Sequence, residues 1–127
     1  MWYEFTYQNL KELDHAVDRM IELAELTQLK GNQCYSKNAA LERFTGHREN
    51  LRAYLFDDDA NRLGIIMKFR EGKWRIQHIR AIGDHSKLKC VFLDKIEKVR
   101  QELGSEIVFD LRDDSDHDRS FEMELLK

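Results

Sequence analysis

The sequence has 127 residues, enough for one domain whose core hides roughly two-thirds of the surface that the unfolded chain exposes. Hydrophobic residues make up 42% and charged residues 35%, a balance typical of a soluble globular protein and not of a disordered chain. The 21 basic and 24 acidic side chains give a net charge of −3, which argues against a dedicated nucleic-acid surface. The absence of proline excludes proline-rich linkers. We therefore expect a single domain over residues 1–127.

Cysteine usage indicates a reducing compartment. Cys34 and Cys90 lie far apart, and neither belongs to a C-x-x-C pair. The first residues lack the basic and apolar regions of a secretory signal, and no apolar run approaches the roughly 18 residues of a membrane helix. We expect free thiols in a cytoplasmic protein with no membrane partner.

The first part of the chain predicts one strand and two helices. Aromatic residues alternate over 2–8 (WYEFTYQ), which favours a strand. Asn9 is then expected to cap a helix over 10–29, where apolar residues recur at helical spacing. Ser36 is expected to cap a second, shorter helix over 37–47.

The middle of the chain has the periodicity of strands. Strands are expected over residues 51–56, 62–69 and 74–82. The turn sequence DDDAN separates the first two, and a Glu-Gly pair separates the second and third. Two hairpins in succession predict a three-stranded antiparallel meander.

The last part predicts a helix and two further strands. Ser86 is expected to cap a helix that ends at Gly104 and carries one apolar stripe. The nearly all-apolar run 106–111 (EIVFDL) is typical of a strand buried on both faces. The polar stretch 112–120 then leads to a strand over 121–126.

The predicted order is strand, helix, helix, three strands, helix, strand, loop, strand. A helix followed by a buried strand, placed after an antiparallel meander, predicts a mixed sheet with helices packed on it. The expected fold class is therefore α+β (mixed α/β). The sheet should be mostly antiparallel, with three helices packed on it in a single domain.

The start of the third predicted helix carries a short motif. The segment RAIGDHSKL (80–88) places Arg80 and Gly83 at the first two positions of the pattern Q/R-x-x-G-x-G/A, with His85 at the third. Together with the order of elements, which covers nearly the whole chain up to about Leu111, this resembles the GNAT (Gcn5-related N-acetyltransferase) fold. In that family the motif forms the pyrophosphate-binding loop of the coenzyme.

The resemblance implies an acetyl-CoA-dependent N-acyltransferase that acts on a primary amine. Backbone N–H groups at a helix N-terminus attract phosphate through their hydrogen bonds and the helix dipole. The residues that the resemblance assigns to the coenzyme are Arg80, Gly83, Asp84, His85, Ser86 and Lys87.

An amine must lose a proton before it attacks a thioester, so the chain would need a base. The catalytic candidates are His78 on the fourth strand and Asp110 at the end of the fifth, with His117 in the following loop. Each also has a structural interpretation: His78 as a strand residue bonded to a backbone carbonyl, and Asp110 as a carboxylate capping the next turn.

The segment 110–124 is the most acidic part of the chain. It holds seven acidic residues and two arginines, a net charge of −5, which leaves +2 for the remainder of the −3 total. Asp114, Asp116 and Asp118 are spaced like the start of an EF-hand. However, Arg119 stands where that loop needs glycine, and Leu125 where it needs glutamate, so no metal site is expected.

This acidic segment favours a second hypothesis, from another functional class. All four tyrosines lie in the first half of the chain, so the tyrosine that serves GNAT enzymes as general acid has no counterpart. The alternative is a catalytically inactive GNAT-like binding or inhibitor protein that docks a partner through its acidic C-terminal segment. A third alternative is a different α+β fold that matches the loop by chance.

Overall fold

The structure is a computed structural model that describes residues 1–28, 36–111 and 118–126. Its elements in chain order are β1 (Trp2–Phe5), α1 (Asp14–Leu26), α2 (Lys37–His47), a single 3-10 turn (Arg48–Asn50), β2 (Leu51–Asp57), β3 (Arg62–Arg70), β4 (Lys73–Ile82), α3 (His85–Leu103), β5 (Ile107–Phe109) and α4 (Ser120–Leu125). The predicted α+β class is confirmed.

The five strands form one open sheet in the order β1-β2-β3-β4-β5. The first four strands pair with antiparallel neighbours, and β5 is parallel to β4. The predicted three-stranded meander is therefore confirmed as β2, β3 and β4. A parallel neighbour requires a crossover, and α3 provides it.

Helices cover both faces of the sheet and bury two apolar clusters. α3 and α4 contact one face through Leu88, Phe92, Val99 and Phe121, which pack against Tyr54, Leu63, Ile65, Met67, Trp74, Ile76, Ile79 and Ala81. α1 and α2 contact the other face through Ala16, Val17, Leu23 and Phe44, which pack against Phe5, Leu51, Ala53 and Leu55. The alternation of side chains along the strands accounts for this division.

A β-bulge in β4 changes which face its side chains meet. Ile66 of β3 is opposite His78, while Met67 is opposite Ile76, so Gln77 is one extra residue in β4. Before the bulge, Ile76 faces α3; after it, Ile79 does. His78 therefore faces α1 and α2.

Strand β5 pairs with only the first half of β4. The register runs from Trp74 opposite Ile107 to Ile76 opposite Phe109, and the Asp110 N–H donates to the Ile76 carbonyl at 3.0 Å. Beyond Ile76, no described strand pairs with the outer edge of β4. Helix α4 approaches this edge, with the Glu122 carboxylate 4.0 Å from the Arg80 guanidinium.

The first predicted helix is shorter than expected. Asn9 does not cap it: its side chain accepts from the Thr6 N–H at 2.8 Å and donates to the Glu4 carbonyl at 3.0 Å. These bonds fold residues 7–13 into turns, and α1 begins only at Asp14. Helix α1 also ends early, at Leu26 with Thr27 as its C-cap, three residues before the predicted end at residue 29.

Two predictions for the C-terminal part are wrong. The predicted strand 106–111 is reduced to Ile107–Phe109, and Phe109 is 46% exposed, so this strand is not buried on both faces. The predicted strand 121–126 is part of helix α4, and the described chain thus has four α-helices instead of three. In the helix, Phe121 and Leu125 lie one turn apart and both contact the cluster under α3.

Candidate functional site

An apolar cleft lies between α1, α2 and the face of the sheet that they cover. Its volume is about 550 Å³. The apolar side chains and the glycine that line it are Phe5, Leu10, Val17, Met20, Ile21, Ala24, Ala39, Ala40, Leu41, Phe44, Leu51, Ala53, Gly64 and Ile66. The polar lining residues are Ser36, Arg43, His78 and Arg80.

The cleft exists because α2 is held less closely than α1. The Arg19 guanidinium of α1 donates to Asp57 of β2 at 2.8 Å, and this bond lowers the pKa of Asp57. In α2 only Phe44 is buried, and Ala39 and Ala40, which line the cleft, are exposed. Small side chains along this face leave the space between α2 and the sheet unfilled.

Gly64 allows the close approach of α1 to the floor of the cleft. A Cβ atom built at Gly64 would lie 2.7 Å from the Met20 sulfur and 3.1 Å from a Leu23 methyl. Any other residue would push these side chains outward, since such distances are below van der Waals contact. Glycine at this position therefore shapes the floor of the cleft.

Two predicted site residues, His78 and Arg80, meet in this cleft. His78 is half-buried, and Arg80 is 7% exposed. The Arg80 Nη1 donates to the Ile79 carbonyl at 3.2 Å and lies 4.0 Å from the Glu122 carboxylate, which is 3% exposed. Glu122 also accepts from the Arg119 Nε at 2.9 Å. Arg80 therefore connects the cleft to α4.

The other predicted coenzyme residues surround the N-terminus of α3. Asp84, and not Ser86, caps this helix: its carboxylate accepts from the Ser86 N–H at 2.9 Å and the Lys87 N–H at 3.3 Å. The predicted end of the helix at Gly104 is confirmed by its left-handed backbone. The His85 ring packs edge-on against Phe121, with centroids 5.4 Å apart.

The turn before α3 is packed against the β2–β3 hairpin. Gly83 has a φ of +121°, and the following Asp84 N–H donates to the Asn61 side chain at 2.7 Å. The Lys87 ammonium lies 2.8 Å from Asp58, and this bond lowers the pKa of the Asp58 carboxyl. One carboxylate thus accepts from the N–H groups that a pyrophosphate would require, and a second pairs with the lysine beside them, so these residues do not fit the coenzyme's phosphates.

Asp110 lies apart from both places. Its carboxylate is 3.7 Å from Arg70 and 3.7 Å from Arg75, near the tight turn between β3 and β4. His117 lies outside the described residues. The structure therefore brings His78 and Arg80 together, places the five other predicted coenzyme residues around the α3 N-terminus, and gives Asp110 arginine partners instead.

The acidic segment is partly internal to the fold. Glu122 is buried, Asp110 is paired with arginines, and the Asp118 N–H donates to the Thr27 carbonyl at 2.7 Å. Residues 112–117, including Asp114 and Asp116, lie outside the described residues. Within the described ranges, no group of three His, Cys, Asp or Glu side chains is placed to hold a metal ion.

Sequence reasoning missed Asp84 as the cap and Arg43, Ala24 and Gly64 as cleft residues. The cap had a local signal, because aspartate is as good an N-cap as serine and comes first here. The cleft had none, because its walls come from segments far apart in the chain. Cys90 is exposed as a free thiol near the start of α3, and Cys34 lies outside the described residues.

None of the helices in the described part of the chain is long and apolar enough to cross a bilayer. The sequence matches no protein-family model and none of the curated proteins with which it was compared.

Proposed function

We propose that this protein binds a small apolar ligand in the cleft between α1, α2 and the sheet, and that its function is to bind this ligand and not to catalyse a reaction. The observation that carries this proposal is the cleft itself. Its volume of about 550 Å³ lies within the range of about 300–1,000 Å³ that ligand sites occupy. Its mostly apolar lining and few convergent polar groups are also typical of such sites.

The α3 N-terminus supports a binding protein over an acyltransferase. A helix N-terminus attracts an anion because its first N–H groups lack partners. Here the Asp84 carboxylate accepts from two of them, and Asp58 pairs with Lys87. A pyrophosphate would have to displace one carboxylate and approach another, at a cost in electrostatic repulsion.

Filling the cleft tests the proposed function. Ala24 lines the cleft from α1, and its neighbour Glu25 is exposed. We expect the fluorescence of Nile red, a neutral apolar dye, to rise when the dye binds the native protein. The substitution Ala24→Phe should weaken this binding by about tenfold or more, because the ring takes up part of the cleft. Titrations of dye with each variant measure the effect.

Glu25→Phe is the matched control, since it adds the same ring to the same helix outside the cleft. Ala40→Phe, on α2, fills the cleft from the other side if Ala24→Phe folds poorly. Circular dichroism checks that each variant is folded. Equal loss of binding in Glu25→Phe, or none in both filled variants, would rule out the cleft as the site.

An acetyl-CoA-dependent N-acyltransferase remains the second candidate. The position of His78 in the wall of the cleft supports it, because a base there could accept a proton from an amine bound in the cleft. The GNAT resemblance also implies that β4 and β5 separate beside the start of α3, and the end of β4–β5 pairing at Ile76 supports this. In this candidate the coenzyme would be held by Arg80 and the loop Gly83–Lys87, whereas Asp110, beside Arg70 and Arg75, lies too far from the cleft to act on the amine.

Calorimetric titration with acetyl-CoA separates the two candidates. We expect no saturable heat from the wild-type protein at millimolar coenzyme, because Asp84 occupies the amides that phosphate needs. Asp84→Ser keeps a capping oxygen and removes the charge, so weak binding in this variant alone would identify the charge as the obstacle. Micromolar binding to the wild-type protein would favour the acyltransferase.

The docking of a protein partner on the acidic segment, and a cytoplasmic location, also remain proposals. Asp118 is exposed and lies in the described part of that segment. The segment 110–124 carries seven acidic residues against two arginines, a net charge of −5. These charges support a basic partner if the segment is the docking surface.

A further inference from the structure

The ionisable groups that line the cleft are all basic. They are Arg43, His78 and Arg80, and no aspartate or glutamate is among the described lining residues. Most small-molecule sites combine an apolar lining with a few polar groups that orient the ligand. In this cleft those groups favour a ligand that carries negative charge.

Arg43 is placed to meet that charge at the rim. It lies on α2, lines the cleft, and has an exposed side chain. It forms no ion pair with any residue that the structure describes, whereas Lys37 of the same helix contacts both Asp14 and Asp18. A cation without a carboxylate partner beside an apolar cleft can pair with an anion of the ligand at low cost in desolvation.

The interior of the cleft restricts the remainder of the ligand. The apolar part of its lining is aliphatic apart from Phe5 and Phe44, and a polar group buried against these side chains would lose its hydrogen bonds to water without replacement. A hydrocarbon chain loses nothing of this kind and gains from the removal of its surface from water. The polar part of the ligand must therefore lie beside one of the basic side chains, and Arg43 at the rim is the exposed one.

We infer that the cleft binds a free fatty acid, with the hydrocarbon chain inside and the carboxylate at Arg43. This inference rests on the proposed binding function and specifies its ligand. The inference specifies both the head group and the hydrocarbon chain of the ligand, and each makes a separate, measurable contribution to the affinity. Burial of each additional methylene contributes about 0.8 kcal/mol, or about fourfold in Kd, until the cleft is full.

Displacement of Nile red by matched amphiphiles tests the inference with the full chain. Decanoate, dodecanoate, dodecanol and dodecylamine are titrated below their micellar concentrations. We expect dodecanoate to bind more tightly than decanoate by about 16-fold, the product of two methylene steps. Dodecylamine, with the opposite charge, should bind more weakly than dodecanoate.

Two variants separate the contribution of Arg43 from general charge effects. Arg43→Gln should weaken the binding of dodecanoate about two- to fivefold, the effect of losing an exposed ion pair. The same substitution should leave the affinity for dodecanol unchanged. Arg100→Gln, on α3 and thus on the other face of the sheet, should change neither. A higher salt concentration should weaken the binding of dodecanoate, because salt screens its ion pair with Arg43, and should not weaken the binding of dodecanol.

Each other outcome overturns a stated part. Equal effects of Arg43→Gln on dodecanoate and dodecanol, or tighter binding of dodecylamine, would refute the anionic head group while cleft binding stands. If none of the amphiphiles displaces the dye, a fatty acid is not the ligand of the cleft. Failure of the dye itself to bind would refute the proposed function.

Discussion

Replacement of Phe92 by alanine should lower the free energy of unfolding by about 3–5 kcal/mol. Phe92 is fully buried between α3 and the sheet, and its ring lies 6.0 Å from that of Phe109 and 6.4 Å from that of Phe121. Removal of the ring leaves a cavity where α3, β5 and α4 meet, and these elements cannot close it without moving apart from their other contacts. Urea denaturation, followed by circular dichroism, measures the change.

Leu93→Ala is the control for this prediction. Leu93 is the next residue of α3 and is 53% exposed, so its truncation should change the free energy of unfolding by less than about 1 kcal/mol. Equal effects of the two substitutions would mean that α3 does not present this face to the sheet.

Replacement of Gly83 by alanine should cost about 2–4 kcal/mol of stability. The φ of +121° at this position is one that residues with side chains rarely adopt, and a Cβ atom would overlap the Asn61 side-chain oxygen and lie 2.9 Å from the Ala60 carbonyl oxygen. The substitution must therefore strain the backbone and also separate the turn before α3 from the β2–β3 hairpin. Urea denaturation provides the measurement here as well.

Gly104→Ala separates the two causes. Gly104 also has a positive φ, of 62°, but no atom lies within 4 Å of the position of its Cβ. Its replacement should cost only about 1–2 kcal/mol, the backbone strain alone. If Gly83→Ala costs no more than Gly104→Ala, the contact between the turn and the hairpin contributes nothing to stability.

The proposed ligand site and the α3 N-terminus differ in how their hydrogen bonds are satisfied. At the helix, side chains of the protein itself accept from the Ser86, Lys87 and Asp84 N–H groups. In the cleft, the protein leaves apolar surface uncovered and carries an arginine at the rim. A ligand therefore gains more from the cleft than from the helix.

Much of the fold could be predicted from local patterns. The meander followed from strands with turn residues between them, and α3 from an apolar stripe that ends at Gly104. These signals are local: a strand period, a helical period, and a glycine that adopts a left-handed backbone. The capping of α2 by Ser36, whose Oγ accepts from the Ala39 N–H, is another.

Short elements could not be predicted in the same way. The run 121–126 alternates like a strand, yet it also places Phe121 and Leu125 one helical turn apart. A run of six residues is too short to distinguish the period of a strand from that of a helix. Here the helix forms because it lets Phe121 and Leu125 pack together against the apolar cluster under α3. Asn9 similarly could cap a helix or stabilise a turn, and its bonds to Thr6 and Glu4 decide for the turn.

The sequence by itself determined the α+β class, the meander, and the two long amphipathic helices, because each depends on neighbours in the chain. Only the tertiary structure decided where the polar residues of β4 point. A strict period of two would place His78 and Arg80 on the face of Trp74 and Ile76, and the extra residue Gln77 reverses this. The cleft also depends on the tertiary structure, because the distance between α2 and the sheet follows from the packing of side chains that are remote in sequence.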